Sequence, residues 1–148
     1  MLPHPEGGYY KETYRSAEKV KNRDGEERNC CTAIYFLLED GDISHFHRIQ
    51  SDELWFFHSG QTLEITYIED GQAHHIYLGN NLETGEVAQA VIPAGLWFAS
   101  KLKDAKGYAL VSCTVAPGFD FRDFEMAKRE ELLKEYPHLK EVVEELAM

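Results

Sequence analysis

Basic residues are scarce. Lys and Arg number 15 against 26 Asp and Glu, a formal net charge of −11. Phosphate backbones and anionic bilayers are held by clustered Lys and Arg, so this balance argues against a nucleic-acid or membrane partner. Long apolar runs are missing as well: none approaches the ~20 residues that span a bilayer. The opening MLPHPEGGYYKETYRS has no apolar stretch of the secretory-signal kind, so the expected location is the cytoplasm. Cysteine is limited to Cys30, Cys31 and Cys113, without Cys-x-x-Cys spacing. That argues against a disulfide framework or a zinc ribbon, and the apolar surroundings suit small core residues.

What is present is the material of one core. The 148 residues are 43% hydrophobic and 12% aromatic, which fits a single domain. Residues 1–29 read as a polar, turn-rich N-terminal arm with a short strand from Tyr9 to Arg15. Residues 30–118 read as the body. CCTAIYFLLE, ELWFFH, LEITYIE, AHHIYLG, AQAVIPAGLWFAS and YALVSCTVAP follow one another as short apolar or alternating segments separated by Gly turns. Seven or eight such strands with no long helix between them indicate an all-β sandwich or barrel. Residues 123–148 read as a helical tail, with Leu132, Tyr136, Leu139, Val143 and Leu146 as its apolar stripe. Pro137 divides it into a helix ending near Glu135 and another starting near Pro137.

Chemistry concentrates in GDISHFHRIQSDELWFFHSG, residues 41–60. His45 and His47 are two apart and share a face of a regular strand. Glu53 opens the next strand, and an antiparallel return brings it beside them. Two imidazoles and a carboxylate on one wall form a candidate site for a divalent transition metal such as Fe, Mn, Zn or Ni. Without a metal, His47 is a candidate general base, with Glu53 or His58 as its acid partner. His58 is odd-spaced from Glu53 and faces away unless a bulge intervenes. Trp55 and Trp97 can stack on a flat ligand, and Gln89 can offer polar contacts. Arg48, next to His47, is a candidate for substrate binding, an interface or a salt bridge.

Gly41, His45, His47, Glu53 and Gly60 resemble the first cupin motif, with a shorter gap before His45 and a longer one after His47. Gly85, Pro93 and Gly95 resemble the second motif loosely, but Phe98 stands where that motif has its histidine and Leu102 where it has asparagine. HPEGGYYKETYRS, SHFHRIQSDELWFFHSG, VIPAGLWFAS and VSCTVAPGFDFRDFE together resemble one small cupin family, related in fold to the dTDP-4-dehydrorhamnose 3,5-epimerases. The resemblance implies a single jelly roll and a homodimer whose N-terminal segments add to the partner's sheet. It also implies a small-molecule ligand of sugar type. The leading expectation is a metal-independent isomerase or epimerase with His47 as base. A metal-dependent oxygenase or isomerase using His45, His47 and Glu53 is the second. A binding or sensing module without turnover is the third.

Overall fold

The computed structural model describes all 148 residues. The chain forms β1 (Leu2–Pro3), β2 (Tyr9–Arg15), β3 (Lys19–Lys21), β4 (Glu27–Asn29), β5 (Thr32–Glu39), β6 (Ile43–Arg48) and β7 (Asp52–Gly60). It continues with β8 (Leu63–Glu69), β9 (Gln72–Leu78), β10 (Gln89–Ile92), β11 (Phe98–Leu102), β12 (Tyr108–Ala116) and β13 (Glu125–Met126). The tail holds α1 (Arg129–Glu135), a single 3-10 turn at Pro137–Leu139 and α2 (Lys140–Leu146), so the break falls at the proline as its sequence position implies. Asp-Gly pairs turn the chain at Asp40-Gly41 and Asp70-Gly71. Asp40 and Asp70 adopt left-handed φ of 48° and 52°, which Asp tolerates better than most residues.

Two antiparallel sheets face each other. One has the order β1-β2-β5-β12-β7-β10 and the other β13-β6-β11-β8-β9, with β3-β4 as a separate ribbon. This is an all-β jelly roll of the cupin type. β2 pairs with β5 of the same chain, placing Tyr10 opposite Phe36 and Glu12 opposite Ile34.

Strand alternation splits the apolar residues into two clusters. Inward-facing Phe36, Leu38, Trp55, Leu63, Ile65, Phe98 and Val111 fill one end of the space between the sheets. The outer face of the second sheet presents Phe46, Ile68, Trp97 and Ala99, and the tail covers them with Leu132, Val143 and Leu146. The tail is therefore a lid on the sheet's back, which explains its apolar stripe. No helix is long and apolar enough to cross a membrane.

Candidate acid–base site at the open end of the barrel

Core side chains fill only part of the barrel. The remaining end holds a cavity of about 760 Å3, within the range of small-molecule sites. Ile34, Phe36, Ile49, Val115, Phe119, Phe121 and Phe124 give it apolar walls, and His4, Glu6, His47 and Glu53 give it chemistry. The segment bearing Phe119 and Phe121 is anchored at its far end by a buried ion pair. Arg28 of β4 grips Asp123 with two bonds of 2.8 Å.

His47 projects inward from β6 directly opposite Phe98 of β11, the two rings 4.2 Å apart. Its Nδ1 donates to the His45 carbonyl at 2.7 Å, because a carbonyl can only accept. Its Nε2 makes a very short contact with Glu6 Oε2. With Nδ1 already a donor, that contact requires one proton between imidazole and carboxylate. Both side chains are almost wholly buried, at 4% and 7% exposure. Burial disfavours the imidazolium, but the Glu6 charge and hydrogen bond outweigh it and raise the His47 pKa. Burial likewise opposes the Glu6 carboxylate, yet His47 holds its pKa below the ordinary value. The resting pair is imidazolium and carboxylate.

Glu6 arrives from the N-terminal arm, and its loop is tightly specified. The Glu6 carbonyl accepts from the His45 backbone N–H at 2.7 Å and lies 2.8 Å from the His45 ring Nδ1. His4 accepts the Glu6 N–H on its own Nδ1 at 3.3 Å, which fixes a neutral tautomer, and burial lowers the His4 pKa. Gly7 has φ of +114°, and a Cβ there would stand 1.9 Å from the Ile43 carbonyl oxygen. Only glycine permits this approach.

Glu53 extends from the start of β7, opposite Val115 of β12 and Ile92 of β10, and is 9% exposed. Burial, reinforced by the nearby Glu6 charge, pushes its pKa up to about 8, against smaller opposing effects of His47 and the Trp55 indole. Glu53 is thus a neutral acid at pH 7. Two residues on, Trp55 faces the same cavity, clamped edge-on by Phe36 and Phe98. Its indole N–H is buried and directed at the Glu53 carboxyl, but finds no partner within hydrogen-bond distance.

Of the residues expected from sequence, His47, Glu53 and Trp55 line the cavity and the others do not. His45 is displaced by a bulge. From Ser44 to His47 β6 takes three steps while β11 takes two, from Ser100 to Phe98, so His45 and His47 no longer share a face. A second bulge makes His58 the extra residue of β7. It is exposed, bonds Ser112 Oγ at 2.7 Å and lies edge-on to Tyr35 outside the barrel. Arg48 points outward, pairing with Glu125 at 2.8 Å and stacking over Trp97 at 4.1 Å. Trp97 belongs to the cluster under the tail, and Gln89 is exposed on the edge strand β10. Sequence reasoning missed His4 and Glu6. The only signal was two ionisable residues inside HPEGG, a stretch otherwise read as a turn.

The donor set does not suit a metal. No three His, Cys, Asp or Glu side chains converge in ligand geometry. His45 is turned onto the Glu6 carbonyl, both nitrogens of His47 are engaged, and Phe98 stands opposite it. The His45, His47 and Glu53 triad expected from spacing is not assembled.

Comparison with known proteins places this architecture. The chain is 42% identical to protein SO0799 from Shewanella oneidensis, covering 99% of this chain and 90% of that one with a TM-score of 0.91. A hypothetical protein from Leishmania major is 40% identical, covering 99% and 92% with a TM-score of 0.92. The uncharacterised yeast protein YML079W is 34% identical over 148 residues, 90% of this chain and 74% of that one. Oxalate decarboxylase from Bacillus subtilis, at 17% identity and a TM-score of 0.60 over 97% of this chain and 36% of its own length, shares the fold alone. Residues 1–127 match Cupin_5, described as Cupin superfamily (DUF985), and the chain belongs to that family.

Proposed function

We propose that the cavity takes up a small, sugar-like carbonyl compound and moves a proton within it, as an isomerase or epimerase does, without needing a metal. One observation carries this reading. Two carboxyl groups flank one imidazole in the same cavity, and their pKa values are driven in opposite directions, Glu6 down and Glu53 up to about 8. Such divergence is how a site keeps an acid and a base side by side at one pH.

The roles follow from protonation. Glu6, ionised, takes a proton from the carbon next to the carbonyl. The C–H electron pair becomes the new C=C bond, and the carbonyl π pair moves onto oxygen. Glu53, neutral, gives that oxygen its proton, and an enol results. Return of the proton from Glu6 to the opposite face, once the enol has turned over in the cavity, gives the epimer, and Glu53 takes back the enol O–H proton as the carbonyl re-forms. In a 2-hydroxy carbonyl compound, delivery to the former carbonyl carbon gives the isomer: the proton from Glu53 stays on the new hydroxyl, and Glu53 is reprotonated by the neighbouring hydroxyl as that oxygen becomes the carbonyl. His47 has both ring nitrogens engaged, so it positions Glu6 and steadies its charge and is not itself the base.

Exchange of substrate C–H for deuterium in heavy water, followed by proton NMR over a panel of free and nucleotide-linked keto sugars, tests the proposal. Wild type is expected to exchange at least one member, and Glu53→Gln to slow that exchange about 10²- to 10⁴-fold, as for loss of a general acid. Ligands that raise the melting temperature yet exchange no C–H proton would overturn it in favour of a binding protein.

A further inference from the structure

Buried polar groups in folded proteins are nearly always paired, and one left without a full hydrogen bond calls for an explanation. The Trp55 indole N–H is such a group: on a residue 2% exposed that lines the cavity, it is directed at the Glu53 carboxyl without coming within hydrogen-bond distance of it. Phe36 and Phe98 meet its ring edge-on at 6.0 and 6.2 Å, so it is held in place. Glu53 lies two residues earlier on the same inward face of β7, where strand geometry sets the two side chains next to each other. Glu53 and Trp55 both belong to the cavity wall, and Phe119, Phe121 and Phe124 give the same cavity an aromatic lining whose rings meet edge to face.

We propose that the Trp55 indole N–H and the Glu53 carboxylic acid together receive the carbonyl oxygen of the ligand and hold the negative charge that gathers there. The ligand class is the sugar-like carbonyl compound of the proposed reaction, or its enol, with its oxygen entering first. The inference rests on the proton-transfer reading for its catalytic meaning, but the oxygen site is an equilibrium property and is tested without turnover. Preorganised donors in a water-poor pocket stabilise a developing oxyanion strongly.

The probe is 4-nitrophenol, a flat molecule whose absorbance separates phenol from phenolate, with nitrobenzene as the match lacking that oxygen. At pH 6 wild type is expected to bind 4-nitrophenol as phenolate and more tightly than nitrobenzene. Trp55→Phe is expected to weaken 4-nitrophenol about tenfold, the effect of one lost hydrogen bond to a charged group, while nitrobenzene changes little. Binding of the phenolate is expected to fall as pH passes about 8, where Glu53 ionises, and Glu53→Gln to remove that fall. The proposal is overturned by bound neutral phenol, by equal affinity for the two probes or by no binding at millimolar concentration. Equal weakening of both probes in Trp55→Phe also overturns it, as does a phenolate affinity that ignores pH in wild type. Phenolate binding without deuterium exchange on any carbonyl compound would leave this oxygen site standing and remove the isomerase reading.

Discussion

Glu53 and Trp55 face inward because β7 is regular at its start, and both were visible in the sequence for that reason. His58, farther along the strand, points out of the barrel as its odd spacing from Glu53 implies, even though β7 bulges there. His45 on β6 was not legible, because its direction depends on a bulge that no residue pattern announces. Glu6 was hidden more deeply, since its role depends on a turn that brings the arm back across the barrel mouth. Removing it gives a sharp expectation for its partner. Glu6→Gln takes away the charge that raises the His47 pKa and leaves burial, which lowers it. An NMR titration of the His47 ring should show its pKa falling from above the ordinary histidine value to below it. An unmoved His47 titration would mean that Glu6 does not control it.

The longer strands were foreshadowed by alternation and turn chemistry, and the helical tail by its stripe and by Pro137, because these signals are local; the short β1, β3, β4 and β13 carry no such pattern and were not. Pairing is not local, which is why the arm's place was not legible. The loop of residues 4–8 is a structural element in its own right, locked by His45 and shaped by Gly7. Gly7→Ala places a methyl group against the Ile43 carbonyl at a left-handed φ, at a cost of about 1–3 kcal/mol. The loop is expected to lift and carry Glu6 out of the cavity while the sheets stay intact. Circular dichroism unchanged from wild type, with a lowered His47 pKa, is the expected pair of results. The tail makes the opposite prediction. Leu132 is buried in the cluster behind the second sheet, away from the cavity. Leu132→Ala should destabilise by about 2–5 kcal/mol in urea titration and leave cavity ligands bound as before.

Across the whole molecule, three buried groups set the dependence of stability on pH. Glu6 has a folded pKa below its unfolded value of 4.5, so its contribution is present above that value and is lost on acidification. His47 has a raised pKa, so its contribution is complete below 6.5 and is lost as pH rises through the folded value. Glu53 stays protonated in the fold up to about 8 while the unfolded chain ionises near 4.5. Between those pH values folding is penalised by about 1.4 kcal/mol for each pH unit. Stability is expected to peak near pH 4.5 and to fall from there as pH rises. Glu53→Gln should be more stable than wild type at pH 8 and should lose that advantage at pH 5, as read from urea midpoints. Equal pH profiles in the two proteins would contradict the neutral, buried state of Glu53.

That state is the centre of the account, and carboxyl 13C NMR of protein labelled at glutamate observes it directly. With Glu53→Gln supplying the assignment, the Glu53 signal should move with a midpoint near pH 8. The Glu6 signal should remain that of a carboxylate down to acid pH. A Glu53 midpoint near 4.5, the ordinary carboxylate value, would remove the proton donor and with it both the isomerase chemistry and the oxygen site beside Trp55.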